Sequence, residues 1–484
     1  MDKVQFTVGL FNFLFVINIL LAIVVVFFER RNPTSTLTWL VVLLFLPGLG
    51  FILYLFLGQD LKRKRLFKLK KEEEKRLYSI ISEQKNFLEN YREYIENKEI
   101  AEYLDVIHLN LYSDNAFYTE NNKIDVLDSG NKKFELMKAA LKNAEKFIHM
   151  EYYIIQNDVL GREIVEILTK KAKEGVEVKL LYDGMGCIRL PKKFFNSLIE
   201  AGGKVACFFP PFVPYINLRL NYRNHRKICI IDGQSGFIGG FNIGDEYLGL
   251  SKRFGFWRDT HLCIEGDAID GLELRFLLDW RYASNENALF NEGYFPKRSY
   301  KGQRGVQIVS SGPDSKWTSI KNGYIKLMNK AQKRIYIETP YLIPDDGILD
   351  ALKIASLSGV DVRIIVPAKP DHPIVHWASL SYIGELLEVG VKCYTYNKGF
   401  VHSKYVLVDG KVSSIGTANL DVRSFKLNFE VNAFIYCSDT CAKLEEAFLE
   451  DLNHCNEITL DEYNNRKLMV KIKEGISRLL SPIL

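Results

Sequence analysis

Two apolar runs fill most of the first sixty residues, and beyond them the chain turns to short hydrophobic stretches separated by charged ones. The first run, VQFTVGLFNFLFVINILLAIVVVFF, covers residues 4–28, and the second, LTWLVVLLFLPGLGFILYLFLG, covers 37–58. A helix of about 22 residues is roughly 33 Å long, enough to cross the hydrocarbon of a bilayer. With the turn-like ERRNPTST between them, the two runs predict a transmembrane hairpin. A cleaved signal peptide competes for the first run. Its apolar part is too long for one, no small-residue cleavage site stands out, and another span follows at once. Pro47 and Gly48 leave a kink or a re-entrant turn open for the second run. The basic segment DLKRKRLFKLKK (60–71) predicts that it and all that follows face the cytoplasm, making this a multi-pass protein of the cell membrane. Arg30 and Arg31 in the hairpin loop weaken that bias without outweighing it. The same segment is suited to anionic headgroups, and residues 62–105 are expected to be helical.

The remaining pattern occurs twice. AEKFIHMEYYIIQND (144–158) matches AQKRIYIETPYLIPD (331–345), each a helix end followed by an apolar strand with a glutamate, Glu151 or Glu338. KEGVEVKLLYDG (173–184) matches LSGVDVRIIVPA (357–368), and LIEAGGKVACFF (198–209) matches LLEVGVKCYTY (386–396). Finally NHRKICIIDG (224–233) matches VHSKYVLVDG (401–410). Helices alternating with continuous Val/Ile strands predict an α/β fold with a buried sheet in each half. Two similar halves packed about a pseudo-two-fold axis bring equivalent residues together at a cleft. The expected divisions are a membrane hairpin (1–60), a basic helical linker (61–110), a first half (111–295) and a second half (296–484).

Composition adds little to this and excludes some classes. The 484 residues carry a net charge of only +5, which with the apolar N-terminus argues against a nucleic-acid-binding surface. Eight cysteines without CxxC pairs read as small buried hydrophobes in a reducing compartment, not as a zinc site. The C-terminal RKLMVKIKEGISRLLSPIL (466–484) is amphipathic, and two placements stay open, on a membrane surface or on the protein's own core.

Candidate chemistry sits in the last repeat unit. Each copy reads H-x-K-x4-D-x6-G-x-x-N: His225, Lys227, Asp232, Gly239 and Asn242, then His402, Lys404, Asp409, Gly416 and Asn419. One H-x-K is weak evidence; two full copies at matching places are strong. On a strand, histidine and lysine share a face, whereas Asp232 and Asp409 have the opposite parity beside a glycine. The aspartates therefore belong to the motif in a supporting role, bonding backbone or basic groups. Two histidines, two lysines and two asparagines, without a carboxylate cluster for a metal, suit an anionic phosphodiester. One imidazole must be neutral to attack phosphorus and the other protonated to serve the leaving oxygen, so the pair is expected to split its protonation states. Lysines and asparagines are to hold the non-bridging oxygens. A buried carboxylate behind each histidine is to fix its tautomer, with Asp259 and Glu430 the candidates.

These motifs resemble those of the phospholipase D superfamily, and over its full length the chain resembles the bacterial cardiolipin synthases within it. The likeness extends to the hairpin, NYRNHRK, GGFNIGDEY, SSGPD, IETPYLIPDD, GTANLDVRSFKLNFE and the SPIL ending. It departs mildly after the motif, with Gly240 in the first copy and Thr417 in the second where serine is frequent. The resemblance implies transfer of a phosphatidyl group between two phosphatidylglycerols, through a phosphatidyl-histidine, giving cardiolipin and glycerol. It favours His225 as nucleophile and His402 as general acid and base, although the repeat makes them nearly symmetric. Metal and cofactor are not expected. The partners implied are phosphatidylglycerol and other anionic membrane lipids, with no nucleic acid; no oligomeric state is read. Two segments are candidates for shaping the approach. PPFVPYINLRL (210–220) either dips toward the bilayer, lines an acyl groove or is a buried loop. DHPIVHWASL (371–380) brings His372, His376 and Trp377 to the equivalent place in the second half.

Overall fold

The computed structural model describes residues 3–27, 33–46, 49–50, 53–54, 81–86, 98–210, 221–286, 291–298, 302 and 304–483. Pro47, Gly48, the basic segment 60–71 and nearly all of the 210–220 insertion lie outside them. At the N-terminus, helix α1 (Lys3–Phe27) and helix α2 (Pro33–Phe45) pack together, with Asn18 Nδ2 donating to the Leu43 carbonyl at 3.0 Å. Among the described residues, no helix is long and apolar enough to cross a membrane. The spanning hairpin expected from the sequence is thus not shown.

The first half builds strands β1 (Asn122–Ser129), β2 (Phe147–Tyr152), β3 (Glu177–Asp183), β4 (Lys204–Phe208), β5 (Arg223–Asn224), β6 (Ile228–Ile231), β7 (Ser235–Gly239) and β8 (Phe256–Gly266). The second half repeats them as β9 (Gly305–Ser311), β10 (Arg334–Glu338), β11 (Asp361–Pro367), β12 (Lys392–Tyr396), β13 (Gly399–Val401), β14 (Tyr405–Val408), β15 (Val412–Gly416) and β16 (Asn428–Tyr436). In the first sheet β2, β3 and β4 run parallel, while β2, β6, β7, β8 and β1 pair antiparallel in that order. The second sheet has the same arrangement in β10 to β12 and in β10, β14, β15, β16 and β9. The α/β fold of two similar halves is therefore realised, each with a mixed sheet.

Alternation along the strands explains how the halves join. Ile228 and Ile230 point into a central core together with Tyr405 and Leu407, so the two sheets face each other. Helices α6 (Ile269–Ser284) and α10 (Ser438–Leu452) contribute to the same core. The intervening Cys229 and Ile231 point outward, toward helices α4 (Gly130–Lys142) and α5 (Val159–Lys173). Val406 and Val408 do the same toward α3 (Leu104–Asp114), α7 (Ser319–Lys330), α8 (Asp346–Leu357) and α9 (Pro373–Leu387). Both strand faces are buried, which is why these runs read as continuously apolar. All eight cysteines are free, and six are buried.

Two of the short strands that cross between the halves lead into the motif. β5 pairs in parallel with β16 of the second sheet, and β13 pairs in parallel with β8 of the first. Each leads directly into a histidine of the repeated motif. The His225 amide donates to the Phe429 carbonyl at 2.9 Å, and the His402 amide to the Arg258 carbonyl at 2.7 Å.

The aspartates of the motif lie at the opposite ends of their strands. Asp232 and Asp409 adopt left-handed backbone, φ 55° and 54°, in the turns after β6 and β14. Asp232 accepts the amides of Glu145, Lys146 and Phe147 at 2.7–2.8 Å. Asp409 accepts those of Gln332, Lys333 and Arg334 at 2.8–2.9 Å. They fasten each turn to the start of the neighbouring strand. Replacing Asp232 with alanine is expected to lower stability by about 2–3 kcal/mol, since charged acceptors with several donors are among the stronger hydrogen bonds. Turnover by the surviving folded fraction should be unchanged; thermal unfolding and specific activity check both halves of this expectation.

Candidate active site

His225 and His402 line one cavity of about 520 Å³ between the halves. The strands begin only at Ile228 and Tyr405, so the His-x-Lys triplets are extended segments ahead of the strands and not their first residues. Lysine and histidine still lie close, as parity suggested. Lys227 Nζ donates to the His225 carbonyl at 2.7 Å, and Lys404 Nζ donates to the His402 carbonyl. Both lysines are buried, 0% and 1% exposed, and neither is among the residues that line the cavity.

The carboxylates are crossed. His225 Nδ1 meets Glu430 of the second half at 2.9 Å, and His402 Nδ1 meets Asp259 of the first half at 2.6 Å. The short parallel strands cause this, because β16 carries Glu430 past the approach to His225 and β8 carries Asp259 past the approach to His402. Spacing within one copy predicts the carboxylates but not the exchange. Each Nδ1–H donates to its carboxylate, which leaves Nε2 as the free lone pair. Lys404 Nζ also lies 2.8 Å from His402 Nδ1. The proton there belongs to the shorter contact with the ionised Asp259, so the ammonium is spent on the carbonyl.

The two carboxylates are supported differently. Glu430 also accepts Asn428 Nδ2 at 3.1 Å, while Asp259 accepts the Thr260 amide at 2.8 Å. A Cβ at Gly240 would fall 1.9 Å from Asp259 Oδ1, so the first copy needs glycine where the second has Thr417. Thr417 uses its carbonyl instead, 3.1 Å from His225 Nδ1. The mild departure from the serine pattern thus has a steric reason.

Electrostatics treat the two imidazoles alike. Burial pushes both down to about 4, with Lys227 near His225 and Lys404 near His402 pushing the same way and the carboxylates opposing. The surroundings therefore do not single out either imidazole as the one that carries the proton. Burial also pushes Lys227 to about 7 and Lys404 to about 8. Asp259 and Glu430 stay below the usual carboxylate range against strong desolvation, held there by the lysines and histidines around them. A pH dependence of stability follows. An imidazole near 4 in the fold and about 6.5 when unfolded stabilises fully above pH 6.5, and that contribution is lost as the pH falls toward 4. Each histidine is worth about 3 kcal/mol over this window. Unfolding of the parent and of a His225→Gln variant between pH 7 and 4 should show the steeper acid loss in the parent.

Asn242 and Asn419 line the cavity as well. Asn242 is already engaged, with Oδ1 accepting the Ile154 amide at 3.1 Å and Nδ2 donating to Tyr247 at 3.1 Å. Asn419 Nδ2 donates to Asp421 at 3.0 Å. Of the three residues singled out in 371–380, His372 lines the cavity; His376 and Trp377 do not, and they pack ring against ring, centroids 5.4 Å apart.

Several cavity residues escaped the sequence reading. Tyr153 lies edge-on to His225 at 4.9 Å, and Trp257 lies 5.2 Å from His402. Arg223 and Arg423, one from each half, share the same wall. Tyr153 lies two residues after Glu151 and Trp257 two residues before Asp259, so their nearness in the chain to residues already singled out was available as a signal. Behind the site lie two buried ion groups: Arg226 with Asp279, and Arg258 with Asp451 and Glu338. Glu338 is the glutamate already noted on β10, but Asp279 and Asp451 come from α6 and α10, which the strand pattern does not bring to the site.

The comparisons agree with this geometry. Residues 137–253 and 324–452 match the family described as "Cardiolipin synthase, PLD-like domain", and 16–59 match "Phospholipase_D-nuclease N-terminal". The chain is 49% identical over 476 residues to the major cardiolipin synthase of Bacillus subtilis, covering 98% of this chain and 99% of that one. The chain belongs to this family. A cardiolipin synthase of Staphylococcus aureus is 50% identical over 471 residues, covering 97% and 95%. Among solved structures, the phosphatidylserine synthase of Haemophilus influenzae matches 78% of this chain and all of its own, with a TM-score of 0.60 at 15% identity. That distant likeness speaks for the phospholipase D fold alone. The first of the two matched segments contains His225 and Lys227, and the second contains His402 and Lys404.

Proposed function

We propose that this protein is a cardiolipin synthase, a phosphatidyltransferase that joins two phosphatidylglycerols into cardiolipin and releases glycerol. The observation that carries it is the crossed pair of histidine–carboxylate contacts at one cavity, in a chain nearly half identical to cardiolipin synthases over its whole length.

In the first step His225 Nε2 forms a bond to phosphorus while the bond from phosphorus to the glycerol oxygen breaks, and His402 delivers a proton to that oxygen. In the second, His402 takes the proton from the terminal hydroxyl of another phosphatidylglycerol. Its oxygen then displaces His225. Glu430 and Asp259 hold the rings with Nε2 toward phosphorus and stabilise whichever becomes cationic. Both imidazoles sit near 4. An anionic phosphodiester beside them favours an imidazolium, and this supplies the asymmetry that the protein alone lacks. Lys227 and Lys404 offset charge gathering on the non-bridging oxygens, and Asn242 and Asn419 orient the walls around it. Asp232 and Asp409 act only on the turns.

The apolar hairpin anchors the chain in the cell membrane, with the catalytic halves on the cytoplasmic side, where the segment after residue 59 meets anionic headgroups. Water is the rival acceptor, and nothing in the two motifs forbids it. Purified protein given labelled phosphatidylglycerol should yield cardiolipin and free glycerol in equal amounts. Phosphatidic acid as the main product would make it a hydrolase instead.

A further inference from the structure

The C-terminal helix α11 (Leu468–Leu479) is mounted with its polar side inward. Its buried positions are Glu474 and Ser477, 3% and 5% exposed. Glu474 receives Arg466, Nη2 to Oε2 at 2.6 Å, and Arg478 pairs with Glu385 of α9, along which α11 packs. On the other side Leu468, Met469, Ile472, Ile476 and Leu479 are 72, 62, 45, 61 and 80% exposed. At 3.6 residues per turn these five fall in an arc of about 100°, centred roughly opposite Glu474 and Ser477. Ion pairs turn the helix this way, so its apolar face is not a piece of core left uncovered.

The borders and the position of that face identify what it meets. Lys471 and Lys473 are exposed, one on each side of the apolar arc, where long cationic side chains reach headgroups while their stems lie along acyl chains. Helix α9, which carries α11, begins at the cavity rim: His372 just before it and Val375 in its first turn both line the cavity. Ile374 between them is 50% exposed, and Lys473 Nζ stands 5.2 Å from the ring centre of Trp377. The apolar face and the cavity rim therefore share one support.

We propose that α11 is an interfacial anchor lying in the headgroup region of an anionic bilayer, holding the cavity rim against the membrane so that lipid reaches the histidines without leaving it. This rests on the phosphatidyl-transfer reading, and it adds a second membrane contact beyond the N-terminal hairpin.

The test uses the full chain reconstituted in phosphatidylglycerol and phosphatidylcholine vesicles, with an environment-sensitive fluorophore on Ile472→Cys. A chain without the added cysteine sets the labelling background. The expected result is blue-shifted emission quenched by lipids carrying a nitroxide high on the acyl chain, with no quenching at a Lys173→Cys control. In parallel, Ile472→Glu combined with Ile476→Glu should lower turnover of vesicle lipid at least tenfold and leave turnover in detergent micelles within twofold. A probe that lipid does not quench, a probe shielded by a second copy of the chain, or equal losses in vesicles and micelles would each overturn the anchor. A parent chain inactive in micelles would instead count against the transfer reading, and the quenching measurement would still decide the anchor.

Discussion

Alanine at His225 or at His402 is expected to lower transfer by about 10⁴-fold or more, with the double substitution little worse than either single one. The non-additivity is the informative part. One nucleophile and one acid–base group serve the same phosphorus, so either loss leaves the other without a task. Folding should survive, because Glu430 keeps Asn428 Nδ2 at 3.1 Å and Asp259 keeps the Thr260 amide at 2.8 Å. The singles separate the roles when the donor carries a good leaving group, such as an aryl phosphodiester, which needs no proton from His402. A phosphohistidine should then accumulate in His402→Ala and be absent from His225→Ala under an acid-free quench. The reverse pattern would exchange the two assignments, full turnover in His225→Ala would end the covalent mechanism, and full turnover of phosphatidylglycerol in His402→Ala would end its acid–base role.

Much of this was legible from residues because the chain states its motif twice. The spacing puts Asp232 and Asp409 at the far end of the strand from the histidines, where each binds three backbone amides. The strand halves were legible because both faces of β6 and β14 are buried. What stayed hidden depends on contacts between copies. Nothing in the spacing of Glu430 from Asp409 says that it serves His225, since the exchange is made by strands of two and three residues, β5 and β13, too short to carry a hydrophobic period. That burial depresses both imidazoles was hidden for a related reason. A repeat that builds two like environments depresses both groups alike.

Arg258→Met is expected to cost about 3–5 kcal/mol of stability, the range for breaking one partner out of a buried ion group. Arg258 is 4% exposed, with Nε 2.5 Å from Asp451 and Nη1 reaching Thr260, Ser403 and the Asp259 carbonyl. An exposed pair such as Lys132 with Asp128 is worth about 0–1 kcal/mol by comparison, because water screens it. Removing the guanidinium strands Asp451, so pairing the change with Asp451→Asn should recover about 2 kcal/mol in a double-mutant cycle. The cost should also grow with pH. Burial raises Glu338 to about 8, and Arg258 is what holds it down to that value. An acid raised in the fold contributes most below its ordinary value, near 4.5, and loses that contribution as the pH climbs through 8. Without Arg258 the carboxyl stays neutral to higher pH, so above 8 the variant forgoes an ionisation that relieves the parent. Unfolding in detergent at pH 6 and 9 measures the difference. A variant within about 1 kcal/mol of the parent at both would show that the group contributes no more than a surface pair. Activity should fall along with stability, because the strand that places Arg258 in the core also presents Asp259 to His402.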